Sequence, residues 1–310
     1  MRQKHCLVLS SVLVVIVVGL AVTLFVLQPD VMCPKPNVIF SAVQAEPGEF
    51  FVVRVDPLGE DGSVLVEAPF ITEDPCFFRQ GKGLVALIPV GYRSDPGVYA
   101  LEVAVTKGSK TIYDTEQVFT VNARNFAIQK LYVSPELHAK RDETLWADDH
   151  MYTGHARAQS NPDPLWHGPF LEPLKGRITT QFGQIRYIND QESGRHSGLD
   201  IASPQGTPVV ATNDGAVALA RPLNVTGNTV ILDHGLNLFT SYSHLDQIAV
   251  ELGQRVTKGQ VIGTVGSTGF STGSHLHWTV SIGGTFVDPY FVLESADYLE
   301  GAILRGELSD

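Results

Sequence analysis

The residues of this 310-residue chain best suited to chemistry concentrate in three short segments. One is His196-Ser197-Gly198-Leu199-Asp200, the second Tyr242-Ser243-His244-Leu245, and the third His275-Leu276-His277-Trp278. Zinc is bound readily by imidazole nitrogen and carboxylate oxygen. A hydrolytic zinc site uses three protein ligands and keeps a fourth position open. A His-x-x-x-Asp followed much later by another His supplies such a set. Residues two apart on an extended strand face the same side. His275 and His277 therefore point into one cavity if their segment is a strand, one able to bind a metal and the other to move protons. Residues 196, 198 and 200 share a face in the same way if the chain is extended there. A histidine taken singly is more often solvated or hydrogen-bonded than functional. The joint pattern, set among glycine-rich strand-like segments, is a poor candidate for chance.

The elements that must position these residues read as strands. From Phe170 onward VVATNDGAVALA, TGNTVILDHG, LFTSYSHL, QRVTKGQVIGTVG, HLHWTVSI and TFVDPY alternate β-branched runs with tight turns, and no long amphipathic helix separates them. Residues 36–122 are also strand-like. FFVVRV, SVLVEA, GLVALIPV, GVYALEVAV and QVFTV are spaced by turn clusters such as DPLGEDG and RSDPG, which suggests a β-sandwich. The strand Val98–Val105 does not alternate strictly and is expected to be buried on both faces. PGVYALEV resembles the end of bacterial immunoglobulin-like modules, and the module reads as a passive spacer. Residues 123–169 are polar with scattered aromatics, and PELHAKRDETLWADDH suits a short helix. They read as a linker or arm, and Phe126, Trp146, Tyr152 and Trp166 predict that it packs on the following domain, where it either fills the interdomain space or restricts entry to the site. The four histidines there, His138, His150, His155 and His167, lack ligand-like spacing and are expected on the surface.

Residues 1–30 carry a different signal. Arg2 and Lys4 precede an apolar run, Cys6 to Leu27, which as a helix would span about 33 Å, one hydrocarbon core. The flanking charges place the N-terminus in the cytoplasm and the rest outside. A cleaved signal peptide competes with an uncleaved anchor, but the run is long for a signal and no A-x-A-like site follows in QPDVMCPKP. A lipoprotein reading of Cys33 fails on the residues before it. In an oxidising compartment Cys33 and Cys76 can pair or stay free. The expected architecture is thus all-β: a membrane helix (1–30), an immunoglobulin-like sandwich (36–122), the arm (123–169), a β domain carrying the three histidine segments (170–292) and a tail (293–310).

Composition excludes other classes. The net charge of -11 argues against a nucleic-acid binder, which needs a basic face. Twelve acidic against six basic residues over positions 36–122 place much of that charge on the sandwich. Three cysteines are too few for a disulfide scaffold. Gly269-Phe270-Ser271-Thr272-Gly273 matches G-x-S-x-G, but no helix follows to make the elbow that a serine nucleophile needs. Lys258 in VTKGQVIG lacks the Met-Lys signature of lipoyl-type hairpins and reads as a turn. His234 in ILDHGL reads as a strand end.

Over about residues 170–292 the chain resembles the lysostaphin/LytM-type zinc endopeptidases. The match runs through GRITTQFGQIR, RHSGLDIASPQGTPVVATNDGAV, GNTVILDHG, YSHL, GQRVTKGQVIGTVGSTGFSTGSHLHW and the closing VDP. The resemblance implies an antiparallel β core with a groove over one zinc held by His196, Asp200 and His277, catalytic histidines at His244 and His275, and peptidoglycan cross-link peptide as substrate. No motif position is missing, which sets the chain apart from relatives that have lost ligands and only activate other hydrolases; a non-catalytic activator with an occluded groove is the alternative. The chain has no H-E-x-x-H and so no glutamate base of that type. His244 and His275 are the available proton-handling groups, and the sequence leaves open which does which. Together with the N-terminal run, the resemblance implies a membrane-anchored, extracytoplasmic hydrolase with no nucleic-acid partner.

Overall fold

In a computed structural model the side chains of residues 35–140, 142–295, 299 and 301–303 are described, with backbone alone for residues 13–18, 21–26, 304 and 305. The chain divides into residues 1–35 and 36–310. In the first unit Leu13–Val18 and Ala21–Val26 are strands paired antiparallel, from Leu13 opposite Val26 to Val18 opposite Ala21. Where a membrane helix was expected over Cys6–Leu27, the described residues are therefore strands, and the rest of that run lies outside the described residues. LVVIVV and AVTLFV are dense in β-branched residues, and Gly19 lies between them in sequence; apolar length alone does not separate helix from strand. Among the described residues no helix is long and apolar enough to cross a membrane. Cys6 and Cys33 lie outside the described residues, and Cys76 is exposed.

The strand-forming run after residue 36 builds two four-stranded sheets. One joins Asn37–Phe40, Phe50–Asp56, Gly83–Pro89 and Phe78–Gln80; the other joins Gln44–Ala45, Lys110–Val121, Gly97–Lys107 and Gly62–Glu67. Phe51, Val53, Val55, Ala86 and Ile88 of the first meet Leu101, Val103, Val105, Phe119 and Val121 of the second in a closed core. The alternate residues of the first sheet, Phe50, Val52, Val85 and Leu87, point the other way and join the core of the C-terminal domain. The strands buried on both faces are therefore Phe50–Asp56 and Gly83–Pro89. The expectation for Val98–Val105 is corrected: Val98 is 71% exposed and the strand shows one face to solvent. Its sheet is an outer layer, whereas the other sheet is a middle one. Each fully buried Phe or Val side chain contributes about 1.5–3 kcal/mol, so the shared core ties the two domains together.

The arm is more ordered than its polar sequence suggests. Ile128–Leu131 pairs parallel with Ile185–Ile188. Helices follow at Pro135–Ala139 and Glu143–Arg157, with Ser134 and Asp142 as N-caps accepting from Leu137 and Thr144 amides. The second helix ends on Arg157, whose Nε donates to Ser281 Oγ at 3.1 Å and Nη2 to Ser241 Oγ at 2.8 Å. Trp166 is buried in the C-terminal core. His138, His150, His155 and His167 are exposed, as expected.

The C-terminal domain is antiparallel β. Its main sheet runs Arg177–Thr180, Leu199–Ala202, His275–Ile282, Leu238–Ile248, Asn228–Asp233, Gly215–Pro222, Arg255–Val256. The closing VDP caps a last helix, Pro289–Glu294, with Asp288 accepting from the Tyr290 amide. Arg124 of the arm binds the other oxygen of Asp288, and Arg54 of the sandwich donates to Ile303 O at 2.7 Å.

His234 belongs to this core. It is fully buried, with Nδ1 2.7 Å from Asp214 O and Nε2 2.8 Å from Thr240 Oγ1. Burial pushes its pKa down to about 4. Between about 6.5 and about 4 the unfolded chain binds a proton that the folded chain refuses, so stability falls as pH drops through that window, by up to about 1.4 kcal/mol per unit. Urea unfolding at pH 7 and pH 5 is expected to show a larger loss for wild type than for His234→Gln. Equal losses would remove His234 as the source.

Candidate metal centre and groove

Three adjacent strands, with the short stretch 196–198 that leads into the first of them, bring the predicted residues together. His275–Ile282 lies between Leu199–Ala202 and Leu238–Ile248, with His277 opposite both Asp200 and Ser243, and His275 opposite Ala202. The two-residue period holds: His275 and His277 face the groove, while Leu276 and Trp278 are fully buried behind them. Gly198 has a steric reason. A Cβ there would stand 2.1 Å from Trp278 O, so only glycine lets the 196–200 segment lie against the central strand.

His244 is placed by a bulge. The register against Asn228–Asp233 shifts between Tyr242 and Leu245, and His244 adopts φ 60°. A left-handed backbone at a non-glycine residue is strained, and a bulge of this kind re-aims a side chain. Here it turns His244 toward His275, with ring centroids 4.8 Å apart. The His244 amide donates to Thr226 O at 2.8 Å.

The ligand atoms converge. His196 Nε2 is 2.9 Å from Asp200 Oδ1 and 3.0 Å from His277 Nδ1, and His277 Nδ1 is 2.7 Å from Asp200 Oδ1. These three residues form a metal-compatible group. His196 Nδ1 lies 2.9 Å from Gln181 O, a carbonyl that only accepts. With Nδ1 donating to that carbonyl, Nε2 is the atom left for the space shared with Asp200 and His277. The carbonyl partner is also the usual support of a metal-bound imidazole. Burial works to raise the Asp200 pKa, but His196 and His277 outweigh it and hold the carboxyl well below the usual range. Burial pushes His277 down to about 4, which keeps it neutral as a ligand must be. The donor set of two imidazoles and one carboxylate fits zinc.

The other two histidines are oriented alike. His244 Nδ1 is 2.8 Å from Thr268 O, and His275 Nδ1 is 2.8 Å from Gly273 O. In each ring Nδ1 donates to a carbonyl, which leaves Nε2 for the groove. Burial, with His275 and His277 beside it, pushes His244 down to about 3. His275 Nε2 is 3.8 Å from Asp200 Oδ1.

The centre opens into a groove of about 410 Å³. Besides the five predicted residues its walls include Gln129 and Trp146 of the arm, Arg186 and Arg195, and Thr226 and Phe270. Sequence reasoning singled out Trp146 as packing on this domain and missed Gln129, Arg186 and Arg195. Arg186 stands in FGQIR, but one arginine has no spacing to read. Gln129 and Trp146 arrive by long-range packing of a segment without a motif. Ser271 sits in the loop before the central strand, its Oγ 3.3 Å from His275 Nδ1 and 2.8 Å from Gly273 O, with no elbow and no following helix.

The arm also supports the bulge. Asp149, buried at 1% exposure, accepts from the amides of Asn224 at 2.7 Å, Val225 at 2.7 Å and Thr226 at 3.3 Å. Thr226 in turn anchors His244. Asp149→Ala would leave buried amides unpaired, an expected loss of about 2–4 kcal/mol measured by denaturant unfolding. A loss below about 0.5 kcal/mol would show that the loop does not depend on this carboxylate.

Residues 194–289 match Peptidase family M23. Peptidoglycan DD-endopeptidase ShyA of Vibrio cholerae serotype O1 is 45% identical over 111 residues, 36% of this chain and 26% of that protein. DD-carboxypeptidase/endopeptidase Mpg of Neisseria meningitidis serogroup B is 41% identical over 123 residues, 39% of this chain and 28% of that one. The matches thus span about a quarter to a third of these curated relatives. A crystal structure from Pseudomonas aeruginosa assigned to peptidase M23 is 29% identical with a TM-score of 0.56, covering 80% of this chain and 93% of that one, so the likeness extends beyond the peptidase domain. With the His-x-x-x-Asp and His-x-His ligand frame on adjacent strands, residues 194–289 belong to peptidase family M23, of the lysostaphin/LytM type.

Proposed function

We propose that this chain is a zinc-dependent endopeptidase that hydrolyses the peptide cross-links of peptidoglycan, and that it acts outside the cytoplasm, where that polymer lies. The observation that carries the reading is the convergence of His196 Nε2, Asp200 Oδ1 and His277 Nδ1 within 3.0 Å, flanked by two imidazoles whose Nε2 atoms are left for the groove, at the floor of an open groove. The names of the relatives supply the substrate class.

Zinc held by these ligands would supply Lewis acidity, polarising a carbonyl and acidifying water. The chain's own residues do the rest. His244, kept neutral by burial and fixed by Thr268 O, accepts a hydrogen bond from the attacking water and orients it. His275, whose Nε2 stands 3.8 Å from Asp200 Oδ1 at the edge of the centre, takes the proton as general base. That proton then passes to the leaving amine as the C–N bond breaks. The groove walls hold the peptide extended across the centre.

Digestion of purified sacculi by the zinc-loaded protein, with mass spectrometry of the released fragments, tests this reading. Loss of cross-linked dimers and gain of cut peptides, with glycan strands intact, is expected. Intact cross-links after incubation with folded, zinc-loaded protein would overturn it.

A further inference from the structure

We propose that Asp149, on the arm helix Glu143–Arg157, is a positioning residue for His244, so that the arm helps to build the catalytic centre. The inference rests on the peptidase reading above, and Asp149 lies outside the segment 194–289 that matches the family.

His244 needs holding. Its backbone, at φ 60°, is one that a non-glycine residue keeps only where its surroundings over-determine it. The backbone is held from one loop and the ring from another. The His244 amide donates to Thr226 O at 2.8 Å, and its Nδ1 donates to Thr268 O at 2.8 Å. The two loops are themselves joined. The Phe270 amide donates to Val225 O at 2.7 Å, and the Asn228 amide to Thr268 Oγ1 at 2.9 Å. Gly227, at φ 67°, lets them touch, since a Cβ there would collide with Thr268 Oγ1. The loop of residues 223–227 thus sets the backbone of His244 directly and its ring through Thr268.

One side chain from the arm organises that loop. Asp149 Oδ1 accepts from the Asn224 amide at 2.7 Å and from Asn224 Nδ2 at 3.1 Å. Its Oδ2 accepts from the Val225 amide at 2.7 Å and the Thr226 amide at 3.3 Å. Successive amides aimed at one anion are a pattern by which backbone binds anions, and here the anion is the chain's own carboxylate. At 1% exposure water does not replace it, and it has no ion pair among the described residues. The loop amides and the Asn224 side chain are therefore what compensates its burial, with bonds stronger than a neutral acceptor would make. The helix that carries Asp149 is fixed independently. Arg157 at its end bonds Ser241 and Ser281 of the central strands, and the Arg221 guanidinium lies 3.7 Å from the Tyr152 ring centroid. A fixed helix holds the carboxylate, the carboxylate holds the loop, and the loop aims His244 at the water.

Asp149→Asn tests this in the full chain. The variant keeps the side chain's shape but turns an NH2 group, which cannot accept, against part of the loop. In folded variant with one zinc per chain, kcat on a short cross-linked peptide is expected to fall at least about tenfold, with the loss in kcat more than in KM. The His244 Nδ1 proton, followed by NMR with 15N-labelled imidazoles, should shift, while that of His196, held by Gln181 O, stays. In a His244→Ala background the same substitution should cost nothing further, because the group it positions is gone. Asp149→Glu keeps the charge and should recover part of kcat; it carries the same readouts if Asp149→Asn does not fold. Wild-type kcat in the folded, zinc-loaded variant, or an undiminished cost in the His244→Ala background, would overturn the proposal and leave the peptidase reading standing. If wild type cleaves neither peptide nor sacculi, the peptidase reading falls and the role of Asp149 falls with it.

Discussion

Asp200→Ala is expected to lose bound zinc and all measurable hydrolysis while the fold persists. Asp200 Oδ1 touches both other ligand atoms, at 2.9 Å and 2.7 Å, and its carboxylate is the one negative charge of the ligand set. Without it two neutral imidazoles remain, too few for a closed zinc site. His196→Ala should behave alike, since it deletes a ligand whose orientation is set by Gln181 O. Metal content by mass spectrometry and turnover on sacculi measure both effects. Stoichiometric zinc in both variants would show the ligand assignment to be wrong.

The second large effect is expected from the two remaining histidines. His275→Ala and His244→Ala remove no ligand atom, so zinc content should stay close to one per chain. Turnover should fall by about 10²–10⁴, the usual contribution of a positioned acid–base group. His275→Ala should be the more severe, because it removes the group that carries the proton from water to leaving amine, whereas His244 only orients the water. Near-normal rates in both variants would leave the water without its acceptor and base.

The shared face of His275 and His277 was legible from sequence because its geometry is local. His275 and His277 share a face by the two-residue period of a strand, and the structure keeps that period. Asp200 opposite His277 is a register fact, invisible in spacing, and the family resemblance supplied it. The groove walls were not legible for the same reason. Gln129 reaches Arg186 through a parallel strand pair across more than fifty residues, and Trp146 arrives on a helix whose apolar face is weak. Burial also misled where one layer hides another. FFVVRV and GLVALIPV read as ordinary sandwich strands, yet their sheet lies between two cores. Val98–Val105 looked more buried than it is because aliphatic residues also cover outer sheet faces. At the N-terminus the length of the apolar run suggested a helix, and its β-branched content went with strands instead.

Removal and return of metal test the account most directly. Protein stripped by a chelator and dialysed should digest no cross-links. Stepwise addition of zinc should restore turnover in proportion, saturating at one zinc per chain, with Asp200→Ala unresponsive throughout. Full turnover by metal-free protein, or by zinc-free Asp200→Ala, would contradict the assignment of His196, Asp200 and His277 as a hydrolytic zinc site.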